Sequence, residues 1–283
     1  MDKYEVKRFN RLGVSIGICK IDSLIPHEMI VNELLDELTR DMRETGVIRN
    51  LPVVDANTGL IIDGTHRIAA LKKLGCLYAP VCLIDYTGDN RVKIFSWFRL
   101  VGDFSSIDEI KDVLKGESIS VERYFSRETL RAPSIVYGEK VIKFKAREKL
   151  DAYSSFKKVN EIEIKFRRSG YHVEYVSEHE GFKRLKTDRH KCLLVTPRLT
   201  KDDVLSVISR GKVFAPKSTR HIVPVRFHEI SVPIDLLKSL DLERIAKALY
   251  EKIKLSSLTC EDLKEVGGDG QIYNVRIYLR RKE

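Results

Sequence analysis

Residues Asp63-Gly64-Thr65-His66-Arg67 set a carboxylate, a glycine and two cationic or potentially cationic side chains into five positions. They follow the apolar pair Ile61-Ile62 and lead into the amphipathic run Ile68-Ala69-Ala70-Leu71-Lys72-Lys73-Leu74-Gly75. A strand that ends where a helix begins presents unpartnered backbone N–H groups and a partial positive charge, the setting in which phosphate is bound. Gly64 lets an anion come close, Arg67 can grip phosphate oxygens with two parallel hydrogen bonds, and His66 can donate another or carry a proton. Asp63 would repel phosphate unless a magnesium ion bridged the two, since this ion is usually held by one or two carboxylates plus substrate phosphates. Read alone, the same residues fit equally well a helix cap, a surface histidine and an ordinary salt bridge.

A second cluster, Lys217-Ser218-Thr219-Arg220-His221, places three basic or potentially basic side chains and two hydroxyls between Phe214-Ala215-Pro216 and Ile222-Val223-Pro224. It offers many donors and no carboxylate, which suits a phosphate or an amino-acid carboxylate. A solvated polar turn is the competing reading.

These groups need elements to hold them. Residues 14–21 read as a strand. Pro26-His27-Glu28 leads into a helix whose stripe, Val31, Leu34, Leu35, Leu38 and Met42, follows helical spacing and stops at Gly46. Two short apolar runs flank the turn Ala56-Asn57-Thr58-Gly59 and predict a hairpin, and the motif helix follows with Gly75 placed to end it. Residues 79–86 read as a further strand, and 94–100 as an apolar and aromatic stretch holding the only tryptophan, Trp97. The pattern restarts after Gly102-Asp103, which places a domain boundary there, with domains 1–102 and 103–283. Beyond it the spacing predicts a helix over 107–114, strands over 135–144, 162–176 and 191–195, and a helix opened by the capping hydroxyl of Thr200 and closed by Gly211. A helix over 242–254 and a strand over 271–279 complete the chain.

Composition excludes several classes. With 283 residues, 43% of them hydrophobic, the chain can bury a substantial core. No stretch reaches the roughly 20 continuous apolar residues of a membrane helix, and Met1-Asp2-Lys3-Tyr4-Glu5 opens no apolar signal region, so a soluble cytoplasmic protein without a membrane partner is expected. Cys19, Cys76, Cys82, Cys192 and Cys260 are odd in number and nowhere spaced as a zinc or redox pair, which predicts reduced thiols. The formal charge of +10 comes from 51 basic residues interspersed with 41 acids. Small patches such as Lys157-Lys158, Arg167-Arg168 and Arg280-Arg281-Lys282 do not make a nucleic-acid face, and the balance serves equally to attract nucleotides and phosphorylated metabolites.

Four ordered motifs give a more specific indication. Pro26-His27-Glu28, Asp63-Gly64-Thr65-His66-Arg67, Phe95-Ser96-Trp97-Phe98 and Phe214-Ala215-Pro216-Lys217-Ser218-Thr219-Arg220-His221 resemble, in the same order, the motifs of archaeal free L-serine kinases. The resemblance runs from about residue 14 to 233. It implies an α/β protein with a mixed sheet: a ParB/sulfiredoxin-like N-terminal domain and a C-terminal α/β domain that covers the substrate. It also implies phosphorylation of free L-serine to O-phospho-L-serine, in serine and cysteine metabolism, with ADP or ATP and magnesium. Glu28 matches the family's catalytic glutamate, with Asp63 and His66 beside it. Asp63, Gly64, Thr65, His66 and Arg67 match its nucleotide-phosphate segment, and Asp63 would face the magnesium ion. Lys217, Ser218, Thr219, Arg220 and His221 match the segment lying against serine and the transferred phosphate, and Trp97 an aromatic residue beside the substrate. The family commonly shows Asp-Gly-His-His-Arg. Thr65 departs from it, leaving the phosphate grip in place and the choice between ADP and ATP open.

Two related chemistries share the motif. A ParB-type nucleotide-dependent DNA-binding protein would use the same strand and helix, but no helix-turn-helix is visible after Gly102. Sulfiredoxin chemistry needs a cysteine immediately before the His-Arg pair, and Thr65 stands there. The resemblance therefore predicts an active site in a cleft between Glu28, the Asp63 motif and the Lys217 loop. The residues after about 233 extend beyond it.

Overall fold

The computed structural model describes residues 2–123, 132–145, 150–254 and 258–280. Arg281 and Lys282 of the last basic patch lie outside them. The chain divides into two units, one formed by residues 1–93, 221–265 and 273–283, the other by 94–220 and 266–272.

The first unit opens with β1 (Lys3–Phe9), which sequence reading left unassigned, and β2 (Val14–Lys20), paired antiparallel. Then come α1 (Asn32–Thr45), β3 (Val47–Ile48), the hairpin β4 (Val53–Asp55) and β5 (Ile61–Asp63), α2 (Thr65–Lys73) and β6 (Tyr78–Ile84). The sheet order is β1-β2-β6-β4-β5, with β4 parallel to β6 and the other pairs antiparallel, so the sheet is mixed. Ile16, Val54, Leu60, Ala70 and Leu71 are fully enclosed in its core. The hairpin turn is held by Asp55, whose carboxylate accepts bonds from the Thr58 amide and hydroxyl and from the Tyr86 amide. Helix α1 ends as expected, at Gly46 in the left-handed region (φ 69°). Its stripe is only partly covered, for Leu34 remains 43% exposed.

The chain enters the second unit within β7 (Lys93–Ser96), whereas the restart of the pattern placed a boundary after Gly102-Asp103. The aromatic stretch is two strands, β7 and β8 (Phe98–Gly102), interrupted at Trp97. Next are α3 (Ile107–Val113), β9 (Ile119–Glu122), β10 (Ser134–Tyr137), β11 (Lys140–Phe144), α4 (Ala152–Arg168), β12 (His172–Val176), α5 (Glu178–Thr187), β13 (Cys192–Val195) and α6 (Lys201–Ser209). The strands form an antiparallel sheet in the order β12-β8-β13-β10-β11-β9. One face packs on α3 and α4 through Ile107, Ile110, Val159, Ile162 and Phe166, the other on Phe182 and Leu185 of α5.

The strand expected over 162–176 is corrected here: its first half is the C-terminal end of α4. Ile162, Ile164 and Phe166 alternate as a strand would, but Phe156, Val159, Ile162 and Phe166 also form a helical stripe, and that stripe is the buried one while Ile164 is exposed. Asp151 starts the helix by accepting the Ser154 amide. Helix α6 carries the cap read at Thr200, completed to a capping box by Asp203.

The chain returns to the first unit within β14 (Thr219–Ile222) and continues through β15 (Val225–His228), β16 (Val232–Pro233), α7 (Ile234–Leu237), α8 (Leu242–Lys252), β17 (Leu258–Val266) and β18 (Ile272–Arg280). Strand β16 pairs with β3, and β15-β18-β17 form a sheet in which β15 runs parallel to β18. No described helix is long and apolar enough to cross a membrane. None of the five cysteines is in a disulfide; four are buried, and burial raises Cys19 and Cys82 to about 12 and Cys76 to about 11, with Cys192 raised as well.

Candidate active site

In the first unit, β5 delivers Asp63 and Gly64 to the start of α2. Gly64 is the N-cap, with φ 95°, and a Cβ there would lie 2.9 Å from the Pro52 Cβ and from Arg67 Nη2. Only glycine accepts both that backbone and that crowding. No side chain caps the helix, and Thr65, His66 and Arg67, all half-buried, form its first turn. Asp63 is not a cap. Its Oδ2 accepts Arg67 Nη2 at 3.1 Å and Arg226 Nη1 at 2.8 Å, while Arg67 Nη1 donates to the Asn50 carbonyl at 2.9 Å. Burial alone would raise the Asp63 carboxyl, but the two guanidinium groups outweigh it and hold the carboxyl below its usual range. His228, one strand residue beyond Phe227, is pushed down by burial and by Arg226 and Arg67.

Glu28 is half-buried, in the segment between Leu24 and α1. That segment is pinned on both sides of Glu28. Nδ1 of the buried His27 donates to the Ile61 carbonyl of β5 at 2.7 Å, and the Val31 amide donates to His66 Nε2 at 2.9 Å. The acceptor role at Nε2 leaves His66 its proton on Nδ1 when neutral. His27 meets His221 edge to face at 5.1 Å, and His221 Nε2 is hydrogen-bonded to the hydroxyl of the enclosed Tyr86 at 3.0 Å.

In the second unit, Trp97 occupies the break between two strands, its carbonyl accepting from Arg99 Nη1 at 2.7 Å and Thr196 Oγ1 at 3.3 Å. Its ring has Lys217 Nζ at 5.9 Å and the Arg220 guanidinium at 5.3 Å, both within cation–π range. Arg220 Nη1 also donates to the Val266 carbonyl at 2.7 Å. The loop is anchored by buried Phe214 against Phe156 of α4 and turns at Lys217, which adopts the left-handed φ of 57°. Ser218 and Thr219 are buried, and the Ser218 hydroxyl closes the turn by donating to the Ala215 carbonyl.

The structure thus brings Asp63, Gly64, Thr65, His66 and Arg67 together with the Glu28 segment in the first unit, and Trp97, Lys217 and Arg220 together in the second. Sequence reading missed Arg226, His228, Tyr86 and the role of His27. The alternation Val225-Arg226-Phe227-His228, buried at the two apolar positions, was the available signal for a strand with two polar groups on one face. For magnesium the donor set offers one carboxylate, Asp63, whose Oδ2 is already shared by two guanidinium groups. Among the described residues no group of three His, Cys, Asp or Glu side chains could hold a metal. This fits an ion carried chiefly by nucleotide phosphates, not one caged by protein.

No protein-family profile matches the chain. It is similar to the ATP-dependent L-serine kinase of Staphylothermus marinus, 31% identical over 229 residues that cover 77% of this chain and 89% of that protein. It is also similar to the ADP-dependent L-serine kinase SerK of Thermococcus kodakarensis, 27% identical over 227 residues, 77% of this chain and 91% of that one. Among solved structures, a free serine kinase carrying a glutamate-to-alanine mutation, in complex with ADP, matches with a TM-score of 0.65 and 23% identity over 78% of this chain and 92% of that chain. Identity and mutual coverage at this level show that the chain belongs to the L-serine kinase family.

Proposed function

We propose that this protein is a free L-serine kinase that transfers the terminal phosphoryl group of ADP or ATP to the hydroxyl of L-serine, giving O-phospho-L-serine and AMP or ADP. The observation that carries the reading is the double pinning of the Glu28 segment to the phosphate motif, through His27 to the Ile61 carbonyl and through Val31 to His66. A glutamate whose neighbours on both sides are anchored to the strand and helix of the motif is placed for a task that a helix-capping acid would not need.

In the reaction the serine oxygen attacks the terminal phosphorus, the bond from phosphorus to its bridging oxygen breaks, and Glu28 takes the hydroxyl proton. Such a loose transition state asks mainly for positioning and charge neutralisation. Arg67, the Thr65 and His66 amides and the close approach at Gly64 would hold the nucleotide phosphates. Asp63 keeps Arg67 and Arg226 aimed, and His66 keeps the Glu28 segment in register. Lys217 and Arg220 would bind the serine carboxylate and the transferred phosphoryl group, with Trp97 beneath their cations, Ser218 and Thr219 setting the turn, and His221 held by Tyr86 and His27. Magnesium, arriving on the nucleotide with Asp63 as the motif's carboxylate, would supply further charge neutralisation.

The test is direct. Purified protein is incubated with magnesium, L-serine and, separately, ADP, ATP or pyrophosphate, and O-phospho-L-serine is measured. Formation with one nucleotide is expected and identifies the donor. No phosphoserine with any donor would refute the proposal.

A further inference from the structure

We propose that the C-terminal hairpin of β17 and β18 is a positioning element for Arg220 and Arg226, and so sets the affinity of this chain for the anionic groups those arginines face. The hairpin lies beyond residue 233, to which the resemblance read from the sequence motifs extends. The inference rests on the kinase reading for the identity of the ligands.

Two consecutive residues at the end of β17 do the holding. The Val266 carbonyl accepts Arg220 Nη1 at 2.7 Å, and Glu265 Oε1 lies 3.8 Å from Arg226 Nη2. Each arginine has a second restraint: Arg220 lies over the Trp97 ring, and Arg226 Nη1 is bonded to Asp63. A guanidinium carries five N–H donors in a planar fork, so a bond to the hairpin orients the group as well as holding it. Its long side chain is costly to immobilise, and a contact that fixes it beforehand lowers the entropy lost on binding.

The hairpin is itself seated where it can do this. Strand β18 pairs in parallel with β15, with Ile277 opposite Arg226. At the tip, the Gly267 amide donates to the Gln271 carbonyl at 2.8 Å, and Gly267 and Gly268 are buried. A Cβ on Gly268 would lie 2.8 Å from Phe95 Cδ1 and 3.4 Å from the Glu178 Cβ, so within the second unit, to which residues 266–272 belong, glycine is what lets the tip pack this closely beside Val266. A merely decorative extension would not need a glycine closed against an aromatic ring next to the carbonyl that holds Arg220.

The experiment uses the full chain and two ligands, with equilibrium binding of ADP and of O-phospho-L-serine measured for the wild type, Gly268→Val and Glu265→Gln, alongside thermal melting. Gly268→Val is expected to weaken phosphoserine binding about tenfold, the scale of a lost bond to a charged group, while ADP binding stays within about twofold. Glu265→Gln is expected to weaken ADP binding roughly threefold to fivefold through Arg226 and Asp63, with phosphoserine binding unchanged. Should Gly268→Val not fold, Gly268→Ala and Glu265→Gln carry the same comparison. Variants that melt like the wild type and bind both ligands within twofold of it overturn the proposal, as does a wild type that binds neither. Because binding is read without turnover, an inactive wild type whose variants still show this contrast would sink the kinase reading and leave the hairpin's role standing.

Discussion

Replacing Glu163 with alanine should unfold the second unit far more readily than its distance in sequence from any motif would lead one to expect. The Arg99 side chain is 1% exposed and that of Glu163 6%. Glu163 accepts Arg99 Nε at 2.8 Å, both Nε and Nη2 of Arg167 at 2.9 and 2.8 Å, and the Tyr175 hydroxyl at 2.6 Å. Truncation leaves the Arg99 guanidinium buried with no counter-charge, a loss of about 3–5 kcal/mol, which corresponds to a fall in Tm of roughly 6–20 °C for a chain of this size. Trp97 is the only tryptophan and its carbonyl is bonded to Arg99, so urea unfolding followed by tryptophan fluorescence reads this unit locally. The same network sets a pH window. Burial raises the Glu163 carboxyl, but Arg99 with the Tyr175 and Arg167 bonds outweighs it and leaves it below the usual value. A depressed folded value means the stabilisation is complete above the unfolded carboxylate value of about 4.3 and is lost as pH falls through the folded one. The gap between wild type and Glu163→Ala should therefore be constant near neutrality and narrow below about pH 4. The paired change Arg99→Met with Glu163→Leu should recover most of the loss, since an apolar pair of similar volume replaces the ions. A Glu163→Ala loss under about 1 kcal/mol, or a gap that does not move with pH, would refute the reasoning.

Two further predictions concern the site. Glu28→Gln should lower phosphoserine formation by at least about a hundredfold while ADP binding and Tm stay near wild type; undiminished turnover would remove Glu28 as the base. Gly64→Ala, forced into φ 95° with its methyl 2.9 Å from the Pro52 Cβ, should destabilise the first unit by about 1–3 kcal/mol and weaken ADP binding, as seen by thermal melting and equilibrium binding. A variant that melts and binds as the wild type would show that the turn tolerates a side chain.

What could be read from the residues in order was whatever is decided within a few positions. The strand, glycine and helix start at Asp63, the turn at Asp55, the stop of α1 at Gly46 and the Thr200 capping box each depend on neighbours that the sequence lists side by side. The periodic signal misled where two periods coincide, as at Ile162-Ile164-Phe166, because alternation and a helical stripe share residues and only burial separates them. The boundary read at Gly102 differs from the division into units for a related reason: a restart of the pattern is local, whereas a unit is defined by contacts, and residues 221–265 return to the first unit. Asp63 is the clearest case of what tertiary structure alone decided. Read locally it was a cap or a magnesium ligand, yet its shortest hydrogen bond comes from Arg226, 163 residues away, and the Glu28 segment is likewise held by groups more than thirty positions distant. Residue types and short spacings announce which chemistry is available. Which charge is neutralised, which histidine nitrogen is occupied and which carboxylate is fixed depend on side chains brought within about 3 Å by the packing of strands far apart in sequence.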